Sequence, residues 1–150
     1  MSIIEADLEP AEPLPIRVRL AGPRDCEALC ELLDDPAHAR EQVLAWLETP
    51  GTTLLVAQSE VGVLGVAVMV TRLVPLVGGG AQKVIEVDNL VVRADQRGRR
   101  IGRRLLAAVV EWSRQRRAVQ VEAVVGESAA KRFYENFGFA ASNDRLVLAA

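Results

Sequence analysis

Two cysteines and a single histidine stand in 150 residues, so thiol and imidazole chemistry has little to work with. Cys26 and Cys30 lie four apart in a predicted helix, and only His38 accompanies them, which excludes a zinc site or a disulfide framework and leaves metal chemistry out of the reading. Without a partnering histidine the same thiols are poor covalent nucleophiles. No run approaches the ~20 apolar residues that cross a bilayer, and no basic stretch leads into an apolar one at the N-terminus. The expectation is a protein of the reducing cytoplasm with no membrane partner. A phosphate-binding P-loop is missing too: Gly78-Gly79-Gly80 lacks the following G-K-[ST] and precedes no helix start, so residues 75–81 are expected as a loop.

What is present is a hydrophobic fraction of 50% in a chain long enough for one real core. Residues 1–15 carry Glu5, Asp7, Glu9 and Glu12 with three prolines and are expected as a flexible acidic lead-in, followed by one domain over residues 16–150. A net charge of −2 and a pI near 5.5 argue against a general nucleic-acid binder, yet arginines concentrate between Arg93 and Arg117. An acidic body with one basic patch suits a small phosphorylated ligand.

Alternation over residues 16–20 predicts a strand. Helices are predicted from Asp25, as N-cap, to Leu33, and again with Pro36 in the first turn and Val43, Leu44 and Leu47 on one face. Residues 52–58 and 63–73 read as a hairpin. In the next strand, residues 84–92, Ile85 and Val87 have the opposite parity to Leu90 and Val92. One extra residue near Asp88-Asn89, a β-bulge, brings both pairs to the same side. After a short polar turn Ile101, Leu105, Ala108, Val109 and Trp112 recur at helical spacing, predicting a helix over residues 99–116. A strand over residues 118–125, a short helix capped by Ser128 and ended by Gly138, and a final hairpin complete the chain.

The strand-to-helix turn at residues 90–106 organises the rest. Gly98 and Gly102 permit close approach, the first amides of the helix lack intrahelical partners at the positive end of its dipole, and Arg97, Arg99, Arg100, Arg103 and Arg104 add donors suited to phosphate. This is an anion site.

These residues resemble the GNAT family of N-acetyltransferases. Leu90, Val92, Arg97 and Gly102 fall into register with its strand and its Gln/Arg-x-x-Gly-x-Gly/Ala signature, although Arg100 stands at the first glycine of the pair and Ala94 where proline is common. Ala130 to Phe139 (A-K-R-F-Y-E-N-F-G-F) resembles the family's A-x-x-F-Y-x-x-x-G-F segment, in the expected order and separation. The resemblance implies a mixed α/β sheet of the acyl-CoA N-acyltransferase fold, ordered β-α-α-β-β-β-α-β-α-β-β. It also implies acetyl-CoA as co-substrate, held by Leu90, Val91, Val92, Arg97, Gly98, Arg99, Arg100, Ile101, Gly102 and Arg103, and a small amine or a protein or peptide amine as acceptor. A homodimer is the associated oligomeric expectation.

Acyl transfer to an amine needs a neutral amine, a polarised thioester carbonyl and a proton for the thiolate. By resemblance Tyr134 is the general acid and the backbone N–H near Val92 polarises the carbonyl. Read from the residues alone, Phe133, Tyr134 and Phe137 could all be core, with Phe133 and Phe137 forming the stripe and Tyr134 on another face. Glu86 and Asp88 are the candidate bases, either of which could instead be salt-bridged, to Arg93 or Lys83. Two other classes compete: a non-catalytic acyl-CoA-binding regulatory module, and an arginine-rich nucleic-acid binder, the latter disfavoured by overall acidity and the apolar helix face.

Overall fold

In the computed structural model, which describes residues 15–125, 128–142 and 145–150, β2 (Thr52–Ser59) and β3 (Gly62–Pro75) form the centre. In β2, Leu54 and Val56 pack to one side while Leu55 and Ala57 pack to the other, so both faces of the sheet must be covered. The N-terminal helices α1 (Cys26–Glu31) and α2 (Pro36–Glu48) cover the first face through Leu29, Val43 and Trp46. The second face carries α3 (Ile101–Gln115) and α4 (Ser128–Phe137), with Ile101, Leu105, Leu106, Val109 and Tyr134 in its core. The remaining strands are β1 (Arg17–Leu20), β4 (Ala81–Val92), β5 (Gln120–Ala123), β6 (Ala140–Ser142) and β7 (Arg145–Ala149), in the sheet order β1-β2-β3-β4-β5-β7-β6. The expected element order is thus observed. The acidic lead-in, but for Pro15, and the capping side chain of Ser128 lie outside the described residues.

All neighbouring strands are antiparallel except β4 and β5, which are parallel because α3 makes the crossover between them. That pairing runs only from Val84↔Gln120 to Val87↔Ala123. Immediately beyond it β4 bulges: Val68 faces Asn89 and Met69 faces Val87, leaving Asp88 as the extra residue. The bulge restores parity, and Ile85, Val87, Leu90 and Val92 all pack on the α3 side whereas Val91 turns to the α1/α2 side. β4 and β5 therefore separate at this point.

Three expectations are corrected. Asp25 precedes α1 without capping it; its carboxylate accepts from the Gly22 N–H at 2.9 Å and pairs with Arg19 at 2.8 Å, an arginine on β1 offering a stronger partner than helix amides. That pairing, with the Arg19 hydrogen bond first among its causes, holds the Asp25 carboxyl below its usual range. Next, α3 begins at Ile101 rather than Arg99, because Arg100 adopts a left-handed conformation (φ 61°) as N-cap. Lastly, residues 76–80 form the turn of a continuous β3–β4 hairpin, closed by the Leu76 N–H donating to the Gly80 carbonyl at 3.0 Å.

Gly138 ends α4 as expected. With φ 126° it allows its own N–H to reach the Glu135 carbonyl at 3.0 Å and the Phe139 N–H to reach that of Tyr134 at 3.0 Å, a Schellman closure that folds Phe139 back onto the helix.

Candidate active site

Where β4 and β5 part, a cavity of about 680 Å³ opens through the sheet. Asp34 and Val91 line it from the α1/α2 side, and Gly102, Phe133 and Tyr134 from the α3/α4 side, so it can be approached from both faces. A second pocket of about 420 Å³ adjoins it at the start of α3, sharing Val92, Arg97, Gly102 and Phe133. Together they make an elongated cleft, with Arg97, Arg100 and Arg103 at the mouth beside α3, and β4 residues lining the throat. Leu90, Val91, Val92, Arg97, Gly98, Arg100, Ile101, Gly102 and Arg103 all line it. Arg99 does not; it lies on the outer flank of the helix start.

The mouth presents unpaired donors. No side chain caps α3, its first turn contains no acidic residue, and the first intrahelical bond runs from Arg104 N–H to Arg100 carbonyl at 3.0 Å, leaving the Ile101, Gly102 and Arg103 amides without that partner. Among the described residues no carboxylate pairs with Arg97, Arg100 or Arg103. A Cβ at Gly102 would meet the Phe133 ring at 3.4 Å and Val92 at 3.8 Å, ordinary contact distances, so only a side chain larger than alanine would crowd the space between them. In the throat, the Arg93 N–H donates to the Leu64 carbonyl on β3 at 2.8 Å, so strand alternation turns the Val92 amide the opposite way, into the gap.

Tyr134 lies on the cavity wall and is also core. At 6% exposed it is buried, whereas Phe133 and Phe137 are only half-buried, which reverses the expected stripe: α4 turns residue 134 to the sheet, and the Schellman closure lays Phe139 edge-on against it at 5.2 Å. Burial pushes its phenol up to about 12.

The two candidate bases are separated. Asp88, in the bulge, is exposed and lines the cavity. Glu86 lies outside that lining and is ion-paired with Arg145, which also reaches Glu122 at 3.1 Å; Glu122 in turn receives Arg72 at 2.6 Å and Gln120 at 2.7 Å. The foreseen partners are engaged elsewhere, Arg93 with Asp95 at 2.8 Å and Lys83 with the Arg116 carbonyl at 3.2 Å. This network was missed by the sequence reading. The one signal was Glu122 itself, the sole charge in a strand that otherwise carries only Gln120 as a polar residue. Among the described residues no group of three His, Cys, Asp or Glu is arranged to hold a metal, and no helix is long and apolar enough to cross a membrane.

A mixed sheet split at a bulge beside an uncapped, arginine-rich helix start defines the acyl-CoA N-acyltransferase class of fold. The chain belongs to the acetyltransferase (GNAT) family, whose model matches residues 24–139. Among solved structures it is similar to a mutant of the BH1408 protein from Bacillus halodurans (20% identity, 85% of this chain and 94% of that one, TM-score 0.73). It is also similar to the aminoglycoside N-acetyltransferase AAC(6')-Iy in complex with CoA (14%, 89% and 93%, TM-score 0.73). A third likeness is to a ribosomal-protein-alanine N-acetyltransferase from Brucella melitensis biovar Abortus 2308 (19%, 86% and 94%, TM-score 0.72). At these identities the likeness is one of fold. No curated protein matches the sequence significantly.

Proposed function

We propose that the chain transfers an acetyl group from acetyl-CoA to a primary amine by direct attack, without an acyl-enzyme. The observation that carries this reading is the continuity of the cleft, from the free amides of α3 to the gap between β4 and β5 and through to the other face. The Ile101, Gly102 and Arg103 amides with Arg97 and Arg100 would hold the pyrophosphate, and Leu90 to Val92 the arm that follows it. Acetyl-CoA, when bound, supplies an activated acyl group on a thiol leaving group.

The chain's own residues supply the rest. The Val92 N–H donates to a carbonyl in the gap. Asp88 takes the proton of an ammonium arriving from the α1/α2 side, directly or through water, a role that Glu86 is less free to fill while it bridges to Arg145. Tyr134 keeps its proton on Oη throughout the working pH range and donates it as negative charge develops on the leaving group. Because a phenol near 12 is a weaker acid than a thiol of pKa ~8.5, its hydrogen bond stabilises the charge developing on sulfur, and any proton that passes to the thiolate is replaced on Oη from solvent.

A panel of amino acids, polyamines, aminoglycosides and peptide N-termini, read by thiol release from acetyl-CoA, tests the proposal. Amine-dependent release is expected with at least one class. Tight acetyl-CoA binding with no release across the panel would replace this reading with that of a binding module.

A further inference from the structure

The connection between α1 and α2 carries two successive carboxylates with different partners. Its backbone is held at both ends: the Leu32 and Leu33 N–H groups donate to the Leu29 and Cys30 carbonyls at 3.1 and 3.2 Å, Leu32 is buried, and Pro36 opens α2. Asp35 caps α2, accepting from the Ala37 N–H at 3.2 Å and pairing with His38 at 2.8 Å. Asp34 has no such duty. Among the described residues its carboxylate has no hydrogen bond or ion pair, and it stands exposed on the wall of the active-site cavity, the one described lining residue that precedes β4.

Charge along that cavity is divided. Among the described lining residues the only cation is Arg97, at the end shared with the α3 start, whereas the carboxylates are Asp34 and Asp88. An amine arriving from the α1/α2 side therefore meets two negative charges, of which Asp88 alone is needed to take a proton. Two carboxylates on one cavity repel each other, and a ligand carrying two positive charges relieves both.

We propose that Asp34 is a specificity-determining residue for the acceptor and that the acceptor is a diamine or polyamine, one nitrogen reacting beside Asp88 while a second ammonium is held by Asp34. The inference rests on the transferase reading given above. The reacting ammonium loses one proton to Asp88 and another with the departing thiol as its nitrogen becomes an uncharged amide, so the product of a diamine keeps one cation for Asp34 and the product of a monoamine keeps none.

Kinetics with acetyl-CoA and either diaminobutane or butylamine, read by thiol release, test it. The parent is expected to favour the diamine in kcat/KM, and Asp34→Asn to narrow that preference roughly twofold to fivefold through the KM of the diamine, the size of effect that an exposed ion pair allows. Asp34→Glu, which keeps the charge, is expected to restore part of it. No preference in the parent, or a preference that survives Asp34→Asn, overturns the proposal. Calorimetric titration with diaminobutane in the presence of CoA separates it from the transferase reading. If no amine releases thiol, that reading fails, and weaker diamine binding by Asp34→Asn than by the parent still upholds the contact; equal or undetectable binding overturns it.

Discussion

Tyr134 serves the core and the cleft at once, and the two roles separate by experiment. Tyr134→Phe keeps the ring and its contacts with Phe133 and Phe139 while removing the proton. A fall in kcat of roughly 10²-fold with little change in the KM for acetyl-CoA is expected from steady-state kinetics, the lower end for a lost general acid. A change within about twofold would make the residue packing only. Its raised pKa also has a signature in stability. Between about 10, where the unfolded phenol ionises, and about 12, where the folded one does, the folded state holds the extra proton, so stability present below pH 10 is lost as pH rises. Denaturant titrations are expected to show the parent losing about 1 kcal/mol per pH unit over that window relative to Tyr134→Phe. Asp88 and Glu86 separate by pH as well. Asp88→Asn is expected to lose rate chiefly near neutrality and recover as free amine accumulates, whereas Glu86→Gln, which unties Arg145, is expected to lose it evenly. An even loss for Asp88→Asn in a pH–rate series would make it an anchor and not a base.

At the scale of elements, both ends of α3 are fixed by an arginine in a left-handed conformation, Arg100 at φ 61° and Arg117 at φ 58°. At the C-terminal end, Arg117 N–H reaches the Arg114 carbonyl at 3.0 Å and Ala118 N–H that of Ser113 at 3.0 Å, the closure usually given to glycine. An L-residue there costs about 1 kcal/mol. Arg117→Gly and Arg100→Gly are each expected to stabilise the fold by that amount, or about 2–4 °C in Tm for a chain of this size, as calorimetry would read. No gain at either position would mean that the side chains recover the strain through contacts. The positive φ of Arg100 shows how arginine can stand where the family signature has glycine: the backbone takes a left-handed conformation that glycine adopts freely.

For the molecule as a whole, what could be read in advance follows from how local each determinant is. The parity change within β4 demanded a bulge, and the bulge stands at Asp88, where the parallel pairing stops and the cleft begins. The order of elements was legible for the same reason, and nine of the ten residues expected to hold the co-substrate line one cleft because they lie within one strand-turn-helix stretch. Two features were not. The network of Arg72, Glu86, Glu122 and Arg145 joins four strands far apart in sequence, so no local pattern reports it. The rotation of α4, which buries Tyr134 in preference to its phenylalanine neighbours, depends on Phe139 returning across it, which spacing within the helix does not encode.

The central claim is that the cleft from the α3 start to the β4–β5 gap receives acetyl-CoA, and Gly102 lines both of its pockets. In Gly102→Val the first added carbon meets the Phe133 ring at 3.4 Å and the further methyls fill the space between that ring and Val92, while the position itself is only half-buried. Calorimetric titration with acetyl-CoA, alongside circular dichroism to verify the fold, is the most direct measurement. The account predicts measurable binding by the parent and a loss of at least tenfold in Gly102→Val with the fold intact; equal affinity in the two proteins would contradict it.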